Sequence, residues 1–308
     1  MTTPHIPVLL DAVLDSLLPE GTTPDRVIDG TLGAGGHAKA LLDAGAKHLI
    51  GLDVDPIALQ IAQKSLDDYV DRVTLVHASY TEMTDIAKQY GWESVDAILL
   101  DLGVSSMQVD TNTRGFSFRE DGPLDMRFDP SGDRPPASEL VNYYDEGELA
   151  DLFFQYGEER LSRRIAQAVV ANRPYETTRQ LADVIANAVP AKVRHQQKIH
   201  PATRVFQALR IAVNDELNAI ERTLPRAVDL LKSGGRLGVI SFHSLEDRIV
   251  KRYFKDASTE IVSPPGMVLE EKQAQVKLVT RKPIVADESE VEQNPRSRSA
   301  KLRIIEKL

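Results

Sequence analysis

The sequence predicts an α/β fold, a doubly wound and mostly parallel sheet interrupted by an inserted, mainly helical domain. Three observations predict it. Short apolar runs close at residues 29, 53, 77 and 101, a constant step of 24. Helix-like segments fill the intervals between them. After Asp101 the rhythm stops, and the next buried run ends 140 residues later at Ser241.

The runs are Val27-Ile28-Asp29, Leu49-Ile50-Gly51-Leu52-Asp53, Val73-Thr74-Leu75-Val76-His77 and Val95-Asp96-Ala97-Ile98-Leu99-Leu100-Asp101. Being apolar on both faces, they fit strands held between helix layers, where in–out alternation is lost. Between them lie Ala38 to Leu42, Pro56 to Leu66 and Thr81 to Tyr90, read as helices. Pro56 suits a first helical turn, whose N–H has no intrahelical partner. Strand and helix alternating at this pitch give right-handed crossovers and a parallel sheet.

The insert reads as loop from Gly103 to Pro136, a stretch rich in Gly, Asp, Arg and Pro. It then reads as helix over Ser138 to Asn142, Glu146 to Tyr156, Glu158 to Asn172 and Thr178 to Val189. A helix from Asn214 to Leu231 and the turn Ser233-Gly234-Gly235 lead into a buried strand, Arg236 to Ser241. Ser244-Leu245-Glu246-Asp247 resembles a capping box opening a helix that runs to about Lys255. Residues 256–295, with Pro264-Pro265-Gly266 and the acidic stretch Asp287 to Glu292, read as a mobile surface segment. Leu302 to Ile305 reads as a closing strand. The expected domains are 1–104 with 214–308, which bind the cofactor, and the inserted 105–213, which recognises the substrate.

A chain of 308 residues is about two domains' worth. It has no cysteine, which removes disulfides, thiolate metal sites, iron–sulfur clusters and cysteine nucleophiles together. No run approaches the roughly 18 apolar residues of a membrane span. Met1 to Leu10 lacks the basic and apolar pattern of a secretory signal, so a soluble, cytoplasmic protein is expected. The net charge of −9 repels nucleic acid, so a polyanionic partner must be met by a local basic surface.

The first strand runs into Asp29-Gly30-Thr31-Leu32-Gly33-Ala34-Gly35-Gly36-His37. Glycines at a strand-to-helix turn let a ligand approach the backbone and leave helix N–H groups pointing at it. Asp53 ends the second strand, where a carboxylate can accept both hydrogen bonds of a ribose diol. The pairing points to a cofactor containing adenosine. Asp29 and Asp101 place two more carboxylates beside the turn, and these favour a cation and oppose a pyrophosphate. S-Adenosylmethionine, with a sulfonium, an ammonium and no phosphate, is therefore preferred over NAD. The plainer role for Asp29 is to cap the following turn. No Gly-Lys-Ser/Thr triplet follows the glycines, so a P-loop is excluded.

At Asp101-Leu102-Gly103-Val104-Ser105-Ser106 the sequence begins to resemble one family, the S-adenosylmethionine-dependent cytosine-N4 methyltransferases of small-subunit ribosomal RNA, methyltransferase H. The resemblance covers nearly the whole chain. It includes His5-Ile6-Pro7-Val8-Leu9-Leu10, the turn Asp29 to His37, and Asp53-Val54-Asp55-Pro56. It continues through Arg114-Gly115-Phe116-Ser117-Phe118, Gly122-Pro123-Leu124-Asp125-Met126-Arg127 and Tyr156-Gly157-Glu158-Glu159-Arg160. Further on come His200-Pro201-Ala202-Thr203-Arg204, Phe206-Gln207-Ala208-Leu209-Arg210-Ile211, Ser241-Phe242-His243-Ser244-Leu245-Glu246-Asp247-Arg248 and Asn294-Pro295-Arg296-Ser297-Arg298-Ser299-Ala300.

The resemblance implies a class I, Rossmann-like methyltransferase fold acting on the exocyclic N4 amine of a cytosine in 16S ribosomal RNA, near the decoding centre. It also implies that S-adenosylmethionine is held by Gly35, Gly36, His37, Asp53, Tyr80, Asp101 and Gln108. Tyr80 stands where the family often has Phe, and Met107 where it often has Pro. The expected partner is the small ribosomal subunit or its 16S RNA; the oligomeric state stays open, a dimer being one option.

The acceptor amine is conjugated with its ring, so it needs acceptors that hold its N–H groups and a site for the departing proton. Asp101 and Ser105, at the end of the fourth strand and in the loop after it, are the catalytic candidates, with a loop carbonyl as competitor. An unstacked base needs an aromatic platform. Phe116 and Phe118 are candidates, unless both anchor their loop into the core. Arg160 and Arg164, with Arg163 on the same expected helix, are candidates for phosphate contacts, as is the tail patch Arg296, Arg298, Lys301 and Arg303. The tail patch has a second reading, pairing with carboxylates of the sheet. His243, Glu246 and Asp247 invite a metal, but adjacent helix positions diverge, so capping is preferred and no metal is expected. His195 and His200 lie in a basic segment. Two other classes compete, a nicotinamide-dependent oxidoreductase on the same sheet and a non-catalytic ribosome assembly factor.

Overall fold

The computed structural model describes residues 6–19, 21–196, 199–261 and 272–308. The elements of the first third are α1 (Leu10–Leu17), β1 (Arg26–Asp29), α2 (Gly36–Asp43), β2 (His48–Asp53), α3 (Pro56–Ser65), β3 (Val73–His77), α4 (Met83–Gln89) and β4 (Val95–Asp101). Seven helices follow: α5 (Ser106–Asp110), α6 (Ala137–Tyr143), α7 (Glu146–Gly157), α8 (Ser162–Ala171), α9 (Thr178–Ala188), α10 (Ala191–Gln196) and α11 (Ala202–Asn214). The chain ends with α12 (Glu216–Leu230), β5 (Leu231–Ser241), α13 (Ser244–Ala257), β6 (Val276–Leu278), α14 (Glu288–Gln293) and β7 (Lys301–Lys307). It forms two compact units, one of Met1–Gly103 with Leu217–Leu308 and one of Val104–Glu216.

The first unit is built on a seven-stranded sheet of order β3-β2-β1-β4-β5-β7-β6. The strands β1 to β5 are parallel, and β7 runs antiparallel to both β5 and β6. This is a doubly wound sheet with one reversed strand near its edge. Alternate residues of each strand enter separate cores. Ile28, Ile50, Ile98 and Leu100 face one way, with Ile86 of α4, Leu224 of α12 and Phe254 of α13. Val27, Leu49, Ala97 and Leu99 face the other, with Val13 of α1, Leu41 of α2 and Ala62 of α3. Burial of both faces explains the unbroken apolar runs, and each fully buried Leu or Ile contributes about 1.5–3 kcal/mol.

Three expectations for this unit change. The strand expected at 236–241 starts earlier, at Leu231; the Ser233-Gly234-Gly235 turn is an irregularity inside β5, where its register on β4 slips between Val95 and Ala97. The stretch read as mobile surface carries β6, α14 and a 3-10 turn at Pro295–Ser299. β6 pairs with β7, whose Leu302 also pairs with Ile284, and α14 is tied to the segment Ile6 to Leu9. Pro264-Pro265-Gly266 lies outside the described residues. Finally, α1 went unread, although its apolar positions 10, 13, 14 and 17 follow helical spacing.

The second unit is helical around its own core, formed by Leu140 of α6, Leu149 and Phe153 of α7, Ile165 and Val169 of α8, Leu181 and Ile185 of α9, and Val205 and Leu209 of α11. Reciprocal capping boxes start α7 at Asp145 with Glu148, and α9 at Thr177 with Gln180. The helix expected from Glu158 begins only at Ser162, because Glu158 adopts φ 49° and ends α7. The front of the insert is stitched down by its polar groups. Arg114 donates to the carbonyls of Arg127 (3.1 Å) and Phe128 (2.9 Å), and Asn214 Nδ2 donates to the Met126 carbonyl at 2.8 Å.

Candidate active site

At the carboxyl ends of β1, β2 and β4 three aspartates come together around the glycine turn. Asp29 closes β1 and is only 1% exposed; its Oδ1 accepts the Thr31 N–H at 3.1 Å. Asp53 closes β2, with Oδ2 accepting the Gly33 N–H at 2.7 Å and Oδ1 the Asp55 N–H at 2.8 Å. Asp55 in turn caps α3, accepting the Ile57 N–H at 3.0 Å ahead of Pro56. Asp101 closes β4, and its own N–H donates to Thr31 Oγ1 at 2.6 Å, which ties the β4 end to the turn.

The turn has little room for side chains. A Cβ on Gly30 would stand 2.6 Å from Leu100 Cδ2 and 3.1 Å from Tyr80 Cβ. Gly35 has φ +83°, a conformation that L side chains rarely adopt, and precedes α2. A Cβ on Gly36 would stand 2.6 Å from Pro7 Cγ. The segment Ile6 to Leu9 therefore lies against the turn. It is fixed there by His37 Nε2, which donates to the Val8 carbonyl at 2.9 Å, and by α14, where Glu290 Oε1 accepts the Leu9 N–H at 2.7 Å. The other ring nitrogen of His37 lies 3.7 Å from Asp101 Oδ2.

Burial sets the electrostatics of this mouth, and it holds all three carboxyls above their usual range. Burial pushes the Asp29 carboxyl up to about 7, opposed by its backbone hydrogen bond from Thr31 and reinforced by the charge of Asp53. Asp53 rises to about 6, again through burial, against the pull of the Asp55 and Gly33 N–H groups. Burial first, then the charges of Asp29 and Glu246, hold Asp101 well above the usual carboxylate range. Asp29 Oδ2 and Asp101 Oδ1 are buried without a hydrogen-bond partner among the described residues. To ionise, a carboxyl buried in that state needs a donor or a positive charge beside it. S-Adenosylmethionine, cationic and phosphate-free, fits this donor set.

Glu246 enters from α13 and is fully buried. Its Oε2 accepts the N–H groups of Phe242 (2.8 Å) and His243 (3.2 Å), and its Oε1 lies 3.1 Å from His243 Nε2. The cap of α13 is thus His243 rather than Ser244. The extended backbone of His243 lets Nδ1 accept the Glu246 N–H at 3.4 Å, placing the capping box one residue nearer the N-terminus. The tail patch divides: Arg303 Nε and Lys301 Nζ pair with Asp247 at 2.7 and 3.3 Å, whereas Arg296 and Arg298 are exposed.

Gly35, Gly36, His37, Asp53, Tyr80 and Asp101 all belong to this mouth. Thr31 and Pro7, not picked from the sequence, join it through tertiary contacts, as does Glu246, which the sequence offered only as part of a cap or a metal cluster. The remaining candidates belong to the helical unit. Ser105 caps α5, its Oγ accepting the Gln108 N–H at 3.3 Å while Gln108 Oε1 accepts the Ser105 N–H at 3.0 Å. Phe116 stacks on Phe128 (5.7 Å between centroids), and Phe118 lies against His200 (4.7 Å) and Phe206 (4.8 Å). Both rings pack on the helical core, which is the anchoring role their sequence allowed. Arg160 is exposed on the turn before α8, not on the helix, so it does not share a helical face with Arg163 and Arg164. Arg164 Nε donates to the Ala188 carbonyl at 2.6 Å, joining α8 to α9.

Comparison with known proteins gives these features a setting. The curated relatives include the ribosomal RNA small subunit methyltransferase H of Heliobacterium mobile, 49% identical over 99% of both chains. The protein of the same name from Oleidesulfovibrio alaskensis is 48% identical over 99% of this chain and 96% of the relative. Among solved structures, an rRNA methylase from Streptococcus thermophilus aligns over 97% of this chain and 93% of its own, with a TM-score of 0.43 and 12% identity. The sequence profile of the MraW methylases matches residues 2–308, and the chain belongs to the MraW methylase family.

Proposed function

We propose that this protein transfers a methyl group from S-adenosylmethionine to the exocyclic N4 amine of a cytosine in small-subunit (16S) ribosomal RNA. The observation that carries the reading is the set of three carboxylates at the ends of β1, β2 and β4, two of them with buried oxygens lacking a donor, in a chain of the methylase family. When bound, S-adenosylmethionine supplies an electrophilic methyl group carried on a sulfonium.

The chain's own residues then have separable tasks. Asp53 holds the ribose hydroxyls, since each of its oxygens, already fixed by one backbone N–H, keeps a lone pair for a second donor. Tyr80 covers the adenine, and Gly35 and Gly36 let the ligand reach the backbone. Asp29 and Asp101 neutralise positive charge, with His37 beside Asp101. Asp101, whose carboxyl binds a proton more tightly than usual, also accepts the proton shed by the amine. Ser105 and Gln108 order the start of the segment that follows. Holding two reactants in register supplies several kcal/mol of a displacement barrier. The unit Val104–Glu216 recognises the RNA, Arg160 contributing a phosphate contact, and the reaction takes place in the cytoplasm on the small subunit or its RNA.

The test is to incubate the protein with small ribosomal subunits and methyl-labelled S-adenosylmethionine, then digest the RNA to nucleosides for mass spectrometry. Label in N4-methylcytidine is the expected result. Label in any other nucleoside, or none, refutes it. A nicotinamide cofactor is the competing occupant of such a sheet, and calorimetry with NADH should register no uptake, because its pyrophosphate would meet Asp29 and Asp101.

A further inference from the structure

At the other end of the same strands, where β1, β2 and β3 begin, the first unit has a cavity of about 350 Å³. Its walls include Arg26, His48, Thr74, Tyr90 and Trp92, with Asp25 and Asp71 at its rim. Trp92 packs on the core on one side, and Tyr90 is 50% exposed. The Arg26 guanidinium lies 5.8 Å from the Trp92 ring centroid, and Asp96 positions it by accepting the main-chain N–H groups of Asp25 (3.0 Å) and Arg26 (2.8 Å).

The polar groups here are under-used. Asp25 stands 3.7 Å from Arg26 Nε, beyond hydrogen-bond distance, and is shared with Lys47 at 3.8 Å. Asp96 pairs with Lys232. Among the described residues, neither the Arg26 guanidinium, the Trp92 indole N–H nor the Thr74 hydroxyl has a hydrogen-bond partner. Arg72 in the wall donates to the carbonyls of Leu42, Ala46 and Lys47, and its charge also acts on Asp43. In the lining, Arg26 and Arg72 are matched by Asp25 and Asp71, so the cavity is close to neutral on a chain of net charge −9.

We propose that this cavity is a second nucleotide-binding site, separate from the carboxylate mouth. An apolar ligand would strand the donors of Arg26, Trp92 and Thr74. A bare phosphate would leave the aromatic walls without a contact. A nucleotide uses both: its base stacks on Trp92 and Tyr90, and its phosphate takes the paired N–H groups of Arg26. The volume falls in the range of small-ligand sites. The nucleotide is either free or part of an RNA strand, and the chemistry of recognition is the same.

Trp92 is the only tryptophan in the chain, so its emission reports on this cavity alone. The experiment titrates the full-length protein with CMP, with AMP and with a short single-stranded oligoribonucleotide while following that emission. The expected result is a saturable quench that Arg26→Gln weakens roughly tenfold or more and that added salt also weakens. Thr74→Val, a smaller change in the same wall, should weaken it less. Quenching by the mononucleotides assigns a free nucleotide; quenching by the oligonucleotide alone assigns a strand. Absence of a saturable quench up to about 1 mM of any of them, or coincident curves for wild type and Arg26→Gln, overturns the proposal. Uptake of S-adenosylhomocysteine, followed by calorimetry, should be the same in Arg26→Gln as in wild type. That control separates a failed second site from a failed methyltransferase reading.

Discussion

Asp53 Oδ2 accepts the main-chain N–H of Gly33 across 20 residues of sequence, at 2.7 Å. One carboxylate therefore both shapes the glycine turn and, in the proposed function, holds the ribose. The two tasks can be separated by substitution. Asp53→Asn keeps an acceptor for Gly33 but loses the charge and one acceptor; Asp53→Ala loses everything. Calorimetry with S-adenosylhomocysteine should give about a tenfold loss of affinity for the first and a hundredfold or greater loss for the second, since hydrogen bonds to a charged group contribute about 1.5–3 kcal/mol. Near wild-type affinity in Asp53→Asn, with the loss confined to Asp53→Ala, would mean that the turn, and not the ribose, is what Asp53 serves.

The buried carboxyl of Asp29 makes ligand-free stability depend on pH in an unusual direction. In the unfolded chain Asp29 ionises near 3.8, but in the fold only at about 7. Between those values the folded protein binds more protons than the unfolded one, so this group lowers stability as pH rises. A shift of about three units corresponds to an order of 4 kcal/mol when complete. Carboxylates that are held low, such as Asp247 beside Arg303, act in the opposite sense over the acid range. The comparison must therefore be made against Asp29→Asn. Denaturant unfolding should show the variant gaining on wild type from about pH 4 to pH 7 and running parallel outside that window. Parallel curves throughout would assign Asp29 an ordinary pKa.

Gly36 has no space for a methyl group because Pro7 Cγ would lie 2.6 Å from it. The proline ring cannot rotate away, and its segment is tied down at both flanks, by Asn294 Nδ2 donating to the Ile6 carbonyl at 3.0 Å and by Glu290 at Leu9. Gly36→Ala should cost about 1–3 kcal/mol in overpacking and weaken S-adenosylhomocysteine binding. Adding Pro7→Ala removes the obstacle and should restore most of both. A double variant no better than Gly36→Ala would locate the defect in the turn itself.

The strands were legible because a sheet covered on both faces leaves unbroken apolar runs, and the insert because the 24-residue rhythm breaks after Asp101. Asp29, Asp53 and Asp101 could be picked as strand-end carboxylates for the same reason. What could not be read depends on contacts between distant residues. Thr31 bonding the Asp101 N–H, Pro7 lying on Gly36 and Glu246 buried behind the β5 end leave no local pattern. Nor does β6, three residues with only Val276 buried, stand out from a loop. Glu158 ends α7 in a left-handed conformation that glycine or asparagine would have announced, and a helix-compatible sequence hid the break.

The tail cations provide the last test, because two of them are structural. Arg303 is 7% exposed and its Nε meets Asp247 Oδ1 at 2.7 Å, joining β7 to α13, while Lys301 meets the other oxygen at 3.3 Å. Removing Asp247 leaves a buried guanidinium without its anion, a change that typically costs about 3–5 kcal/mol. Asp247→Ala should accordingly lower the unfolding free energy by an amount that added salt barely alters, since the pair is shielded from solvent. Exposed Arg296 and Arg298 should behave the other way. Replacing both with Gln should leave the melting temperature within a degree or two, and should reduce the steepness with which RNA binding falls as salt is raised. An unchanged salt slope in that double variant would remove the tail from the RNA-contacting surface, leaving the helical unit to supply the phosphate contacts.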